Sequence, residues 1–291
     1  MVKDVLCPMV TPFDDGTVDH GSIRSLVDRL ERAGVDGLVP CGTTGEFASL
    51  TPGERESVIA TTADAADEAR VVAGACGTAV ESVRERLREA ADAGADAALV
   101  VAPYYGGQAT PAGNQAFYEA AVADSPLPVY LYNIPSAAGQ GLEAETVVAL
   151  ADHDRVVGLK DSSGDLGFVD EVIRRTPGSF ETLVGSDPLF VPALAMGADG
   201  GINALVQAMP ETFVEAAAAL DGGDFASARE RQTDAIDPAV SACADRGFVP
   251  AVKALLAEQG VINSATVRSP LESLGTDARE SLADSVDQTL F

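Results

Sequence analysis

The sequence predicts an α/β fold, a (β/α)8 (TIM) barrel followed by a C-terminal helical extension. Three observations carry this. Eight short apolar runs recur along the chain, continuous rather than alternating, which is the mark of parallel strands covered on both faces. Amphipathic stretches of helical period separate most of them. The apolar runs then stop, while the helical pattern continues to the end of the chain.

The expected strands are Val5–Val10, Gly37–Pro40, Val71–Ala75, Ala97–Ala102, Val129–Tyr132, Val156–Leu159, Thr182–Gly185 and Gly200–Ile202. Helices are expected over Ser22–Ala33, Pro52–Ala66, Ser82–Ala93, Gly113–Ala123, Ala144–Ala151, Leu166–Arg175, Pro188–Met196 and Glu211–Leu220. Thr51-Pro52 and Thr110-Pro111 place a cap residue and a proline at helix starts. Gly34 and Gly94 stand where two helices should end. Strand–helix alternation repeated eight times is the barrel pattern. A doubly wound open sheet is the alternative, but its phosphate-loop and dinucleotide glycine patterns are missing. Residues 1–221 should form the barrel. Residues 222–291 should form three further helices, Phe225–Cys243, Phe248–Glu258 and Pro270–Leu290, with Asp221-Gly222-Gly223-Asp224 as the hinge.

Composition narrows the function classes. The 291 residues are 46% hydrophobic, enough for a large core, and only 5% aromatic. The net charge of −26 is spread along the chain and opposes binding to nucleic acid or anionic membrane. Acid excess with scarce lysine suggests a protein that works at high salt, where screening removes self-repulsion. Cys7, Cys41, Cys76 and Cys243 have no paired spacing and fit buried small hydrophobes in a reducing compartment. His20 and His153 form no metal motif, and no metal or cofactor is expected. No signal-peptide layout and no apolar run of membrane-spanning length is visible, so a cytoplasmic location is expected.

Lys160 organises the rest. It closes the apolar run Arg155–Lys160 and precedes the turn-forming Asp161-Ser162-Ser163-Gly164-Asp165. Only Lys3, Lys160 and Lys253 are lysines. A lysine at a strand end commonly snorkels to the surface. The other reading is an amine that burial leaves partly uncharged, able to attack a carbonyl and form a Schiff base. Alone, the motif favours the surface reading; the other strand ends reverse it.

In a barrel, function gathers at the C-terminal ends of the strands. Those positions hold Thr11-Pro12-Phe13, Cys41-Gly42-Thr43-Thr44-Gly45-Glu46, Ala102-Pro103-Tyr104-Tyr105-Gly106-Gly107, Tyr132-Asn133-Ile134-Pro135, Gly185-Ser186-Asp187 and Gly201-Ile202-Asn203. Two glycines bracketing two threonines suit a carboxylate-sized anion, although alone such a turn is most often only a turn. A phenol at a strand mouth can relay protons or simply pack. One amine, phenols, hydroxyls and an anion cradle together suit Schiff-base chemistry on a 2-oxo acid.

These landmarks resemble those of the N-acetylneuraminate lyase / dihydrodipicolinate synthase family of class I pyruvate aldolases. TPF, GTTGE, PYY, YNIP and GLKD follow in the family's order, and the likeness covers essentially the whole chain. The resemblance implies a barrel and a homotetramer. It implies Lys160 as the Schiff-base lysine and Tyr132 as the proton relay. Thr43 and Thr44 would hold the pyruvate carboxylate, with Thr43 linking Tyr132 to Tyr105. Tyr105 would reach into a neighbouring subunit's site. Ile202 would lie against pyruvate through its backbone. Apart from the resemblance, the small residues at the Gly185-Ser186-Asp187 and Gly201-Ile202-Asn203 strand ends leave room for a ligand.

The dihydrodipicolinate synthases usually carry an arginine two residues after the YNIP proline; here Ala137 stands there. Alanine cannot imitate a bidentate carboxylate clamp. Gly201–Val206 also departs from the serine-containing version of those synthases. Both departures favour a 2-keto-3-deoxygluconate-type aldolase, free or 6-phosphorylated substrate, in Entner–Doudoroff carbohydrate metabolism. Dihydrodipicolinate synthase is the first alternative. A non-catalytic 2-oxo-acid-binding barrel is the second. Neuraminate lyase is disfavoured, since that subgroup has serine before threonine in the turn.

The charge excess yields one prediction. The temperature of thermal unfolding should rise between about 0.1 M and about 2 M KCl as screening weakens the repulsion among carboxylates. A midpoint that stays constant across that series would exclude salt adaptation.

Overall fold

A computed structural model of the chain describes residues 3–105 and 109–290. Eight parallel strands close into a barrel: β1 Asp4–Cys7, β2 Gly37–Leu38, β3 Arg70–Gly74, β4 Ala97–Val101, β5 Val129–Asn133, β6 Val156–Asp161, β7 Glu181–Val184 and β8 Gly200–Ile202. Each pairs with its neighbours in sequence, and β1 closes on β8 with Leu6 opposite Ile202. The helices between and after them are α1 His20–Arg32, α2 Pro52–Ala65, α3 Val80–Asp92, α4 Pro111–Val122, α5 Ala144–Leu150, α6 Leu166–Arg175, α7 Phe190–Met196 and α8 Pro210–Asp221.

The local chemistry explains the boundaries. Thr51 and Glu54 form a reciprocal capping box at the start of α2, and Asp165 accepts from the amides of Gly167 and Phe168 at the start of α6. Gly34 and Gly94 carry the positive φ that ends α1 and α3. β1 and β2 are shorter than expected. β1 stops before Pro8 and β2 two residues before Pro40, because proline offers the ladder no N–H. A ribbon of Phe13–Asp14 and Thr17–Val18 was not expected; Asp15 and Gly16 take positive φ in its turn.

Alternation along the strands sorts the core into two shells. Leu6, Val39, Val72, Leu99, Tyr130, Tyr132, Leu183 and Ile202 pack inside the barrel. Val5, Leu38, Val71, Val100, Leu131 and Val184 face the helices. At the N-terminal end of the barrel, Arg70 bridges Asp4 at 2.8 Å and Glu181 at 3.1 Å. The Tyr130 hydroxyl donates to Glu181 at 2.8 Å. Gly158 makes way for that tyrosine: a Cβ there would lie 2.8 Å from its ring.

Beyond α8 the chain forms α9 Phe225–Arg231, a wide π turn Gln232–Ile236, α10 Asp237–Ala244, α11 Phe248–Glu258 and α12 Thr276–Leu290. α10 and α11 both pack on α12. The last helix starts later than the expected Pro270, and a loop carrying Thr266 and Arg268 runs back over the C-terminal face of the barrel. Among the described residues no helix is long and apolar enough to cross a membrane.

Strand packing at Gly74 generates a stability prediction. A Cβ at this position would sit 1.9 Å from the carbonyl oxygen of Cys41, which is backbone and cannot swing aside. Gly74→Ala should destabilise the fold by at least about 2 kcal/mol. Thermal unfolding that matches wild type would show that the two strands can separate freely.

Candidate active site

The register of β5 and β6 sets Tyr132 beside Lys160 on adjacent strands, both pointing into the barrel. The ammonium Nζ lies 4.4 Å from the centroid of the Tyr132 ring, the range of a cation–π contact. Both side chains are buried, Lys160 at 5% exposure and Tyr132 at 2%. Among the described residues no salt bridge involves Lys160. The Tyr132 ring face is the aromatic contact of this amine, and the Asp187 carboxyl lines the same cavity. The Tyr132 hydroxyl lies 3.5 Å from Oγ1 of Thr43, which sits on the turn after β2.

These groups share one cavity of about 360 Å³ at the C-terminal face, lined by Lys160, Tyr132, Thr43, Thr44, Gly185 and Ile202. Six of the seven site residues anticipated from sequence therefore meet. Gly185 has a steric reason: a Cβ there would approach Lys160 Cε to 2.8 Å and Ser162 Oγ to 2.1 Å. Tyr105 is apart from them. It is fully exposed, with φ of +70°, and is not among the residues that line the Lys160 cavity. The Gly106-Gly107 end of its loop lies outside the described residues. Tyr104 instead packs edge-on against Phe47 and lines a second cavity of about 320 Å³ with Ala137, Ala138 and Leu271. The two cavities meet at Thr43, Ile134 and Val249.

Several lining residues escaped the sequence reading. Asp187 lines the Lys160 cavity at 4% exposure, and its Oδ1 accepts the Leu205 amide at 2.9 Å. Burial pushes its carboxyl up to about 6, against the pull of its backbone donors and of Lys160. Ser136, Ser162 and Ser186 ring the mouth, one from each of three successive strand ends. Val240, Phe248 and Val249 come from α10 and α11, so residues after the barrel wall the cavity. Asp187 stood in a strand-end segment read only for its small residues. The three serines and the apolar trio carry no motif.

A family model described as the dihydrodipicolinate synthetase family matches residues 1–289. The chain belongs to this family. It is a carbon–carbon lyase of the class I, pyruvate-dependent kind. It is 40% identical over 278 residues to a 4-hydroxy-tetrahydrodipicolinate synthase of Natronomonas pharaonis, covering 95% of this chain and 94% of that one. It is 36% identical over 283 residues to the enzyme of that name from Syntrophus aciditrophicus, covering 97% and 96%. A solved dihydrodipicolinate synthase from Aquifex aeolicus superposes with a TM-score of 0.93 at 29% identity, covering 98% of this chain and 97% of that one. YagE, a prophage protein of the same family from E. coli K12 solved with pyruvate, superposes equally well at 0.93 and 29%, covering 99% and 98%.

These similarities overturn the expectation of a 2-keto-3-deoxygluconate-type aldolase and its Entner–Doudoroff role. The Natronomonas and Syntrophus relatives are named 4-hydroxy-tetrahydrodipicolinate synthase and the Aquifex structure dihydrodipicolinate synthase, which was the alternative. The error has a physical source. Ala137 was read as a missing clamp, yet one absent guanidinium states only what fails to bind. Ala137 is exposed and lines the second cavity, while Ser136, Ser162 and Ser186 line the first.

Asp187 supplies a pH prediction. Its folded-state pKa, about 6, lies above the unfolded value of 3.8. The folded state therefore holds the proton more tightly, and its stability falls as pH rises from about 4 to about 6. Asp187→Asn keeps the acceptor for the Leu205 amide and removes the buried charge. It should match wild type near pH 4 and exceed it by roughly 1–3 kcal/mol at pH 8. Equal stability at both pH values would mean that the carboxylate is fully compensated.

Proposed function

We propose that the protein joins pyruvate to aspartate semialdehyde, the 4-hydroxy-tetrahydrodipicolinate synthase reaction. The observation that carries this is the desolvated Lys160 amine set against Tyr132 in a cavity that also holds the Thr43-Thr44 turn. The names of the relatives support the choice of acceptor.

In this reading Lys160, once deprotonated, attacks the ketone carbon of pyruvate, water leaves, and an iminium forms. The iminium withdraws electrons, so a methyl proton is lost and an enamine results. Its terminal carbon bonds to the aldehyde carbon of the second substrate, and Tyr132 delivers the proton that the new alkoxide takes up. The acceptor's own amine then displaces Lys160, closes the ring and frees the enzyme. Thr43 and Thr44 bind the pyruvate carboxylate through the turn's hydroxyls and amides. Ile202 packs against the bound acid through its backbone, and Gly185 keeps the path to Lys160 open. Among the described residues that line the two cavities there is no arginine, so the acceptor's carboxylate takes hydroxyl donors from Ser136, Ser162 and Ser186.

Tyr105 completes the relay in a neighbouring copy of the chain, within a homotetramer. Its complete exposure and its positive φ support that placement, since a lone chain gives such a ring nothing to pack on. One solved neighbour, described as the first monomeric dihydrodipicolinate synthase variant, superposes at a TM-score of 0.94 and 28% identity. We place the enzyme in the cytoplasm of a cell with high internal salt; the acidic surface and the relative in Halobacterium salinarum support this.

The test is direct. Wild-type protein should condense pyruvate with aspartate semialdehyde, and borohydride should fix pyruvate covalently on Lys160. Lys160→Ala should abolish both. Tyr132→Phe should lower turnover by roughly 10²–10⁴-fold while trapping persists. Trapping without condensation would leave a pyruvate-binding barrel and end the synthase reading.

A further inference from the structure

The turn that carries Thr43 and Thr44 is held in an unusual backbone shape. Its first and last residues, Cys41 and Glu46, take φ of +57° and +54°, although neither is glycine. Such conformations persist only where the surroundings impose them. On the barrel side, the Thr11 hydroxyl donates to the Gly45 carbonyl at 2.7 Å. Within the turn, the Glu46 amide donates to the Thr43 carbonyl at 3.1 Å, so Glu46 and Thr43 move together.

The other restraint comes from outside the barrel. Glu46 is 5% exposed, and its Oε1 accepts from Lys253 Nζ of α11 at 2.5 Å. Its Oε2 accepts from the Arg268 backbone amide at 2.8 Å. Lys253 is wholly buried and also donates to the Thr266 carbonyl at 2.8 Å. The Phe13 ring lies 4.1 Å from Lys253 Nζ and 4.3 Å from the Arg268 guanidinium. Arg268 in turn grips Glu54 with two nitrogens, at 2.9 and 2.6 Å, and the Ser49 carbonyl at 3.0 Å. A buried ion pair of this kind is weak evidence for stability; here it ties the turn to α11 and to the loop at Thr266 and Arg268.

From this we propose that Lys253 is a positioning residue: through Glu46 it sets the Thr43-Thr44 turn against Tyr132 and so tunes the capture of pyruvate. The inference rests on the Schiff-base reading given above. It goes further in assigning the helical extension a part in substrate binding. The margin is narrow, because the Thr43–Tyr132 contact is already 3.5 Å long and a small drift of the turn would break it. Lys253 touches no substrate; its effect travels through two bonded contacts.

The experiment compares wild type, Lys253→Met and the double variant Glu46→Gln/Lys253→Met. The double variant leaves no unpaired buried charge, so it keeps the fold even where the single variant does not. Three quantities are read: the pyruvate concentration giving half-maximal borohydride trapping at Lys160, the KM for aspartate semialdehyde, and the unfolding temperature. In the double variant, half-maximal trapping should require at least about tenfold more pyruvate, as expected for a displaced binding group. The acceptor KM should stay within about twofold of wild type. A folded double variant that traps pyruvate at wild-type concentrations would overturn the proposal and leave the pair purely structural. Absence of trapping in wild type itself would instead remove the underlying Schiff-base reading.

Discussion

The structure depends on the register between two neighbouring strands. Tyr132 stands beside Lys160 only because β5 and β6 pair as they do within a closed barrel. A slip by one residue would turn both side chains into the helical layer. Closure resists that slip, because every strand is fixed on both edges. The glycines nearby serve the same register. Gly158 admits the Tyr130 ring and Gly185 admits the Lys160 side chain, with one register shift between Val129 and Tyr130 where β5 meets β6.

The chain buries two ammonium groups and treats them oppositely. Lys253 has a carboxylate, a carbonyl and an aromatic face, and burial still draws its pKa down to about 8. Lys160 has the aromatic face and no salt-bridge partner among the described residues. The first arrangement holds geometry. The second leaves the amine facing the cavity that it shares with Tyr132 and the Thr43-Thr44 turn. A buried lysine tied to an acid serves as a strut; under the function proposed above, the one without a salt bridge serves as the reagent.

The barrel was legible because its determinants are local and periodic. Continuous apolar runs, capped helix starts and glycine ends appear directly in the residues. The cavity around Lys160 was legible for a related reason: short strand-end segments carry unusual residue types, and a barrel collects strand ends at one face. What was missed arises from non-local packing. Nothing at Phe248 or Val249 announces that a helix after the barrel folds over the site. Lys253 and Glu46 are separated by more than two hundred positions and read separately as ordinary charges. Asp15-Gly16 did carry a hairpin signature, and the ribbon at Phe13–Asp14 shows that it should have been read as one. Ala137 taught the reverse lesson, since one absent side chain was given more weight than the whole remaining match.

The scarcity of lysine has a chemical consequence of its own. Aldehydes condense with any accessible primary amine, and an enzyme exposed to them risks indiscriminate modification. Here Lys253 is sealed in the interior and Lys3 donates to the Ala198 carbonyl at 2.6 Å. The exterior cations are guanidinium groups, which stay protonated and make poor nucleophiles. A reactive carbonyl compound meeting this protein therefore finds almost no side-chain amine to combine with except the one at the bottom of the barrel mouth.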